Sequence, residues 1–493
     1  MAGEKTIEQL MGESGVGFGT SGARGRVVDM TDRVCYAYTL AFLQYLQSVG
    51  EAGSGRVAIA GDFRASSPRI ITACMRAVMD AGFDPVHCGF IPTPAVTLFG
   101  MAEKIPSLMV TGSHIPDDRN GIKFNKPTGE ILKRDERAIQ SQQIIFPQGL
   151  FDDDGMLVTR CYEPAIDRSA YAQYVQRYVD FFPAQALEGM HIGIYEHSTV
   201  ARDALNDIFT QLGAKVTPLG RSEHFIPVDT EAVREEDVRL AKRWAEVYDF
   251  DAIVSADGDG DRPLVSDAKG QWLRGDVAGI LCARSLGATD VVTPVSSNSA
   301  VEKCGWFDAV LRTRIGSPYV IEKMNEVLQE KPESTVVGYE ANGGFLTATG
   351  VVMGQSMLSP LPTRDAVIVP LMILMLARRG AITVEALLSS LPQRFTFSDR
   401  IKDFPTELSR AKIGTLRDAA AIEALFGDRF GRVQVMDETD GLRITFTSDE
   451  VVHLRPSGNA PELRCYNEAS SAARALEMNQ QCLTFLHGWR GAK

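Results

Sequence analysis

The chain alternates apolar segments of strand length with amphipathic segments of helix length. Three stretches share one order: an apolar strand, a polar or Ser-rich turn, an amphipathic helix, a Gly and a second apolar strand. They begin at Arg56 (RVAIAGDF), at His191 (HIGIYEHST) and, more faintly, at Asp290 (DVVTPVSSN). Strands that alternate with helices predict α/β domains with mixed, largely parallel sheets. The long and unequal spacing indicates three similar domains in tandem rather than a solenoid of short repeats.

The remainder of the chain has a different pattern. Strand-like runs alternate in GRVQVMDETDGLRITFTSDEVVHLRPS from Gly431, and a helix-like stretch starts at Ser470. This pattern predicts a smaller α+β domain. Boundaries fall near the charged segment at Phe151, near SDAKGQW at Ser266 and near Arg379. We therefore predict three α/β domains and one α+β domain, in the order 1–155, 156–266, 267–380 and 381–493.

Charge restricts the ligands that the chain can bind. Among 493 residues, Lys and Arg total 51 and Asp and Glu total 63, which gives a net charge of -12. Such a balance disfavours sequence-independent nucleic-acid binding and binding to anionic membranes. We expect neither partner, and any anionic ligand must meet a local concentration of positive charge. No sequence feature indicates an oligomeric state.

Other features favour a cytoplasmic protein. The eight Cys never form C-x-x-C, so we expect reduced, buried thiols rather than a zinc ribbon or a redox pair. The segment MAGEKTIEQLMGESG is acidic and lacks the basic and apolar regions of a signal peptide. The longest apolar run, Ala366 to Ala377, contains Pro370 and is shorter than the roughly 20 residues that span a bilayer. We predict a buried helix there.

The sharpest local motif is SADGDGDRPLVSD from Ser255, which follows the apolar strand AIV. Asp257, Asp259 and Asp261 alternate with Gly, so their carboxylates share one side of an extended loop. Three hard oxygen ligands suit a hard divalent cation such as Mg²⁺. An EF-hand is excluded, because Arg262 and Ala268 occupy the positions where that loop needs Gly and Glu. A solvated acidic turn is the alternative.

Four more loops carry polar groups suited to phosphate or sugar. VTGSHIPDDRNGIKF from Val110 predicts an exposed Ser113 on a tight turn, followed by His114 and Lys123. An α/β-hydrolase elbow is disfavoured because Ile115 stands where that motif needs Gly. GFGTSGARGRV from Gly17 offers backbone N–H groups beside Arg24. VVGYEANGGF offers Glu340 and Asn342 for sugar hydroxyls, and HLRPSGNAPELR places a guanidinium, a hydroxyl and amide N–H groups in one phosphate-binding turn, with Arg455, Ser457, Gly458 and Asn459.

Taken in this order, the loops resemble those of the α-D-phosphohexomutase superfamily. TGSHIP at Thr111 is similar to its serine loop, and DGDGDR at Asp257 matches its aspartate loop without change. GYEANGG at Gly338 and RPSGNAP at Arg455 are similar to its sugar and phosphate loops but depart from them by one or more residues. The resemblance extends over nearly the whole chain. It implies three α/β domains and a smaller fourth domain, with the active site in the cleft among them.

The resemblance also implies roles for these residues. Ser113 would carry the transferred phosphoryl group and would bind Mg²⁺ together with Asp257, Asp259 and Asp261. Arg24, Lys123 and Arg262 would line the transferring phosphate, and both His114 and Lys123 are candidates for proton transfer. The sugar would be contacted by Glu340 and Asn342. The second phosphate would be held by Arg455, Ser457, Gly458 and Asn459.

The implied reaction interconverts hexose 6-phosphate and hexose 1-phosphate through a phosphoserine enzyme and a sugar bisphosphate, which would also act as activator. Because water could intercept the phosphoenzyme, we expect the fourth domain to close over substrate. GYEANGG and the Ile of TGSHIP resemble bacterial phosphomannomutases, which favours mannose. A phosphoglucomutase or a dual-specificity mutase is the alternative. Two further alternatives are a haloacid-dehalogenase-type enzyme with an aspartyl nucleophile and a non-catalytic sugar-phosphate sensor.

Overall fold

The structure is a computed structural model that describes residues 4–19, 22–159, 162–457 and 461–490. Its first sheet has the strand order β2-β3-β7-β6-β4-β5, with β8 paired to β7, and β1 pairs with β9 separately. The elements of this region are β1 (Lys5–Thr6), α1 (Ile7–Ser14), β2 (Gly17–Phe18), β3 (Ala23–Arg26), α2 (Asp32–Ser48), β4 (Arg56–Gly61), α3 (Ser67–Asp80), β5 (Asp84–Phe90), α4 (Thr93–Glu103), β6 (Ser107–Val110), β7 (Arg119–Lys126), β8 (Gly129–Glu130), α5 (Lys133–Gln140) and β9 (Gln143–Ile144).

The second and third sheets follow in the chain. The second has the order β11-β10-β12-β13 and the third β15-β14-β16-β17-β20, beside a hairpin of β18 and β19. Their elements are α6 (Ser169–Phe181), β10 (His191–Tyr195), α7 (Arg202–Gln211), β11 (Lys215–Leu219), α8 (Glu235–Val247), β12 (Ala252–Ala256), β13 (Pro263–Val265), α9 (Gly275–Ser285), β14 (Asp290–Pro294), α10 (Ala300–Lys303), β15 (Ala309–Thr313), α11 (Ser317–Glu330), β16 (Val336–Tyr339), β17 (Phe345–Thr347), β18 (Val351–Met353), β19 (Ser356–Leu358), β20 (Leu361–Asp365), α12 (Ile368–Gly380) and α13 (Val384–Ser389).

The fourth sheet is antiparallel throughout, with the order β21-β25-β24-β23-β22. Its region contains β21 (Phe395–Ile401), α14 (Thr406–Ile413), α15 (Ala419–Phe430), β22 (Val433–Asp437), β23 (Leu442–Phe446), β24 (Val451–Pro456), β25 (Leu463–Ala469), α16 (Ala472–His487) and a short 3₁₀ turn at Gly488–Arg490. The prediction of three similar α/β units followed by an α+β unit is confirmed at the level of fold class. The boundaries chosen between the four domains stay a prediction.

The first three sheets repeat one topology. In each, a central strand pairs in parallel with the two strands that follow it, and the last of these pairs antiparallel with a fourth. The spatial orders are β5-β4-β6-β7, β11-β10-β12-β13 and β15-β14-β16-β17. The stretches that share one pattern in the sequence are the first two strands of each repeat. The turn between the third and fourth strands carries Ser113, the aspartate loop and Glu340 in the three repeats, in that order.

Short polar residues determine where several helices begin. The hydroxyls of Thr31 and Ser471 accept hydrogen bonds from the backbone N–H groups of Val34 and Arg474, at the starts of α2 and α16. Such side chains satisfy N–H groups that have no partner inside the helix. The apolar run from Ala366 forms the buried helix α12, in which Pro370 lies in the first turn, where proline is tolerated. Within the described ranges, no helix has the length and apolar character needed to cross a bilayer.

The hydrophobic cores separate the fourth region from the rest. One cluster of buried side chains runs through all three α/β repeats, from Met109 through Ile192 to Ile373. The fourth region has a cluster of its own, which includes Phe426 and Ile444. A junction with so few shared apolar contacts is typical of domains that move relative to one another.

Polar contacts join the fourth region to the third repeat. Glu468 on β25 accepts hydrogen bonds from the backbone N–H and the hydroxyl of Ser299, and it pairs with Arg394 at 2.6 Å. Asp440 accepts a hydrogen bond from the backbone N–H of Ile315 at 3.0 Å. Lys303 on α10 also pairs with Asp449 at 3.1 Å, so this junction rests on hydrogen bonds and an ion pair. In the chain, Asp440 and Glu468 lie on either side of the predicted phosphate loop at Arg455.

Candidate active site

Ser113 lies in the turn between β6 and β7 with a left-handed backbone conformation, φ 56°. Such a conformation is unfavourable for serine and persists only where neighbours impose it. Here the backbone N–H of Ser113 donates to Thr111 Oγ1 at 2.7 Å, and Arg64 Nη2 donates to the Ser113 carbonyl at 2.9 Å. The prediction of an exposed Ser113 is wrong, because its side chain is buried. The reason is tertiary: the aspartate loop covers it.

The three aspartates lie in the turn between β12 and β13 and are fully buried. Ser113 Oγ donates to Asp257 Oδ2 at 2.6 Å, so the hydroxyl and the carboxylates occupy one place. Oxygen atoms of Asp257, Asp259 and Asp261 lie within 4.8 Å of one another. The intervening Gly258 is required by this contact, because a Cβ there would stand 2.7 Å from the Ser113 carbonyl oxygen.

The aspartate loop fits a divalent cation. Asp259 Oδ1 and Asp261 Oδ1 are buried and have no hydrogen-bond partner within the described residues. Burial, followed by the charges of Asp259 and Asp261, raises the pKa of Asp257 well above its usual value. Unpaired carboxylate oxygens in a buried acidic cluster are costly unless a cation binds them. Oxygen-only donors of this kind suit Mg²⁺.

Cationic side chains lie close to the three carboxylates. Lys123 Nζ contacts Asp259 Oδ2 and Asp261 Oδ2, both at 2.5 Å. Arg262 Nε lies 3.9 Å from Asp257 Oδ2 and 3.7 Å from Asp261 Oδ1. Arg24 interacts electrostatically with Arg262, Asp259 and Asp261; burial, followed by the charge of Arg262, lowers its pKa to about 10, so Arg24 stays charged at neutral pH. These cations can stabilise negative charge on a phosphoryl group.

His114 adjoins both Ser113 and Arg262. Its Nδ1 lies 3.2 Å from Ser113 Oγ and 2.9 Å from Arg262 Nη1. Because a guanidinium only donates hydrogen bonds, this nitrogen accepts and the imidazole is neutral. Burial, followed by the charge of Arg262, lowers the pKa of His114 to about 3. His114 therefore carries no proton on Nδ1 at neutral pH.

The predicted sugar loop joins this centre through a residue that the sequence analysis did not single out. Arg364 pairs with Asp261 Oδ2 at 2.8 Å and with Glu340 Oε2 at 3.3 Å. Burial alone would raise the pKa of Asp261, but Arg364, followed by Lys123 and Arg262, lowers it below its usual value. Asn342 has a local contact as well, because its Oδ1 accepts a hydrogen bond from the backbone N–H of Gly344 at 2.9 Å.

The predicted phosphate clamp lies elsewhere. Arg455 pairs with Asp440 at 2.8 Å, and Ser457 follows it at the end of β24. Both line a cavity of about 670 Å³ between the third repeat and the fourth region. Gly458 and Asn459 lie outside the described residues. The sequence analysis also missed the other arginines that line this cavity, which are Arg314, Arg410 and Arg417.

Thr93 is a further residue that the sequence analysis missed. It begins α4, and its hydroxyl donates to Asp259 Oδ2 at 2.6 Å while its backbone N–H donates to the Asp259 carbonyl at 2.9 Å. The signals for Thr93 and Arg364 were weak. Thr93 precedes Pro94, and Arg364 is a charge two residues before the apolar run that begins at Ala366. Neither signal indicates a partner more than a hundred residues away.

The chain belongs to the phosphoglucomutase/phosphomannomutase family. Models of this family match residues 15–144 (α/β/α domain I), 274–395 (α/β/α domain III) and 408–484 (the C-terminal domain). Among its relatives, a phosphomannomutase of Salmonella muenchen is 42% identical over 476 residues, which cover 96% of each chain. A phosphomannomutase of Sinorhizobium fredii is also 42% identical, over 95% of this chain and 98% of the relative.

Solved structures share the fold at low sequence identity. A phosphoglucomutase/phosphomannomutase family protein from Burkholderia thailandensis has a TM-score of 0.72 at 20% identity, covering 96% of this chain and 98% of that one. An N-acetylphosphoglucosamine mutase of Aspergillus fumigatus, solved with GlcNAc-6P and magnesium, has a TM-score of 0.58 at 14% identity, covering 98% of this chain and 99% of that one. The 42% identity to two phosphomannomutases confirms the resemblance to phosphohexomutases, and the chain is an intramolecular phosphotransferase. The haloacid-dehalogenase alternative no longer applies.

Proposed function

We propose that this enzyme interconverts mannose 6-phosphate and mannose 1-phosphate, with Ser113 as the residue that gives and receives the phosphoryl group. The contact between Ser113 Oγ and Asp257 Oδ2 at 2.6 Å carries the proposal, because it joins the serine hydroxyl to the carboxylates that suit a cation. The choice of mannose is supported by two relatives, both phosphomannomutases, that are 42% identical over nearly their whole lengths.

The residues around Ser113 suit phosphoryl transfer, which depends chiefly on positioning and on charge stabilisation. Asp257, Asp259 and Asp261 would hold Mg²⁺. The ion, when bound, would neutralise negative charge on the phosphoryl oxygens. Arg24 and Arg262 would donate hydrogen bonds to the same oxygens.

Two neighbouring groups can move protons. His114 is one candidate, because its Nδ1 lies 3.2 Å from Ser113 Oγ and would become available to accept a proton once Arg262 turns to the phosphoryl oxygens. Lys123 presents ammonium donors to Asp259 and Asp261 at 2.5 Å and can donate one. We propose that proton transfer at the sugar and serine oxygens uses these two residues.

The substrate needs two further contacts. Glu340 would accept hydrogen bonds from sugar hydroxyls, and Asn342 would assist it through its amide group. Arg455 and Ser457 would hold the phosphate that is not reacting, together with Gly458 and Asn459. The other arginines of the cavity would add positive charge for a substrate that carries two negative charges.

After the first transfer, the bisphosphorylated sugar would turn over in the cleft and return its other phosphate to Ser113. This bisphosphate would also serve as the activator.

A coupled mutase assay tests the proposal. Mannose, glucose and glucosamine 1-phosphates are compared with Mg²⁺ and a trace of the matching bisphosphate. We expect mannose 1-phosphate to be turned over fastest. Comparable turnover of glucose 1-phosphate would make the enzyme a dual-specificity mutase. Ser113→Ala should abolish turnover of all three sugars, and retained turnover would disprove the role of this serine.

A further inference from the structure

Arg364 lies on β20, at the point where the aspartate loop meets the sugar loop. Its side chain is 3% exposed. Nε and Nη2 donate to Asp261 Oδ2 at 3.0 and 2.8 Å. Nη1 donates to Ser317 Oγ at 2.7 Å and to Glu340 Oε2 at 3.3 Å. One guanidinium therefore joins a carboxylate of the second repeat to a carboxylate of the third.

The surroundings fix Arg364 in this position. A Cβ on Gly344 would stand 2.4 Å from Arg364 Cδ, so the sugar-loop backbone rests directly on the side chain. Glu130 accepts hydrogen bonds from the hydroxyls of Ser317 and Thr363, at 2.7 and 2.6 Å. A guanidinium is planar and presents its donors in a rigid fork. A displacement of the sugar loop must therefore displace Arg364 or break its contact with Glu340.

The same contacts decide which oxygen of Asp261 is available. Oδ2 is occupied by Arg364 and Lys123, whereas Oδ1 has no hydrogen-bond partner within the described residues. Arg364 thus holds the carboxylate with Oδ1 directed away from its own guanidinium, and the cation nearest to Oδ1, Arg262 Nε, stands 3.7 Å away, beyond hydrogen-bond distance. If Arg364 rotates, Asp261 loses this orientation. Because groups that hydrogen-bond to metal-binding residues fix the orientation of those residues, they also influence metal affinity.

We propose that Arg364 is a positioning residue that couples sugar binding at Glu340 to cation binding at Asp261. The inference rests on the proposed function of these two loops and goes beyond it. A sugar that engages Glu340 restrains the sugar loop, and the restrained loop holds Arg364 and Asp261 in the arrangement that accepts Mg²⁺. Coupling between two sites is reciprocal, so each ligand tightens the other by the same factor. We expect a factor of roughly five or more.

The coupling is measured as binding, without turnover. In the unphosphorylated protein, with no sugar bisphosphate present, Mg²⁺ is titrated by calorimetry with and without a saturating sugar phosphate. Mannose 1-phosphate and glucose 1-phosphate are used in parallel. The ratio of the two Mg²⁺ dissociation constants is the coupling factor. We expect it to fall to about one when Arg364→Lys, which keeps the charge but not the fork, is added.

Two other variants separate coupling from folding. Ser317→Ala removes the hydroxyl that anchors Nη1 and should give an intermediate factor. Arg312→Lys is the matched control, because Arg312 also holds a carboxylate, Glu302, at 2.7 Å but lies outside both loops. It should leave the factor unchanged.

The possible results distinguish the inference from the proposed function. A factor of one with Arg364 present would overturn the inference and leave the mutase assignment intact. If Arg364→Lys weakens Mg²⁺ binding equally with and without the sugar phosphate, the factor is preserved. That result would show a merely structural role for Arg364 and would also overturn the inference. Failure of both sugar phosphates to bind would overturn the proposed function and the inference together.

Discussion

Replacing Gly258 by alanine should separate the serine loop from the aspartate loop, which together would form the proposed reacting centre. The added Cβ would stand 2.7 Å from the Ser113 carbonyl oxygen and 3.0 Å from the ring of Phe225. Ordinary contact distances exceed these by roughly 0.5 to 1 Å, so the loops must move apart by about that amount. Neither neighbour can retreat easily, because Arg64 donates a hydrogen bond to the carbonyl and stacks on the Phe225 ring at 3.9 Å.

The expected loss follows from this displacement. A misplacement near 1 Å in a reacting geometry can lower the rate by roughly 100-fold, so we expect kcat to fall between about 10-fold and 100-fold. The free energy of unfolding should fall by only about 1 to 3 kcal/mol, the range for added volume in a packed site. The coupled mutase assay gives kcat, and thermal unfolding confirms that the variant is folded.

The control uses the same substitution at a glycine without neighbours. A Cβ on Gly12 meets nothing within 4 Å, so Gly12→Ala should retain full activity. A Gly258→Ala enzyme with unchanged kcat would refute the reasoning, since the serine and the aspartate loop could not then lie in contact.

Three further predictions concern metal binding, stability and substrate capture. Thr93→Val removes the hydroxyl that holds Asp259 and should weaken Mg²⁺ binding roughly 10-fold by calorimetry; the neighbouring Thr97→Val, which loses only a bond to a backbone carbonyl, should not. Burial lowers the pKa of His197 to about 4, so the stability that its neutral ring contributes is complete above pH of about 6.5 and is lost as the pH falls towards 4. That contribution is about 3 kcal/mol, and thermal unfolding across this pH range should show a shallower slope for His197→Gln, whereas an equal slope would exclude the effect. Arg410→Ala should raise KM for the sugar phosphate roughly twofold, with little effect on kcat and a weaker dependence on salt, while Arg432→Ala, outside the cavity, should not change KM.

The repeated architecture could be predicted from the sequence because its signal is local. Each repeat carries its strand, turn and helix within about thirty residues, and the apolar pattern of each element is readable without its partners. Neither the pattern nor the motifs indicated how deeply Ser113 would lie. Its burial depends on Gly258, which is 145 positions away in the chain.

The site was predictable only where a motif marks it. The aspartate loop is recognisable because three carboxylates alternate with glycine, and the serine loop became recognisable beside it. Thr93 and Arg364 belong to no such motif. Their importance comes from tertiary contacts with Asp259 and Asp261, and a single threonine or arginine has many possible environments. The boundaries of the four domains and the roles of the site residues stay predictions.

The three matching turns between third and fourth strands divide the work of the enzyme. In the proposed mechanism, the first would supply the group that is phosphorylated, the second the cation ligands and the third the sugar contact. An exchange of the third turn for that of a relative should therefore alter which hexose is accepted while sparing transfer itself. Arg364 limits this exchange, because the turn taken from a relative must still place a carboxylate and a glycine against its side chain, as Glu340 and Gly344 do here.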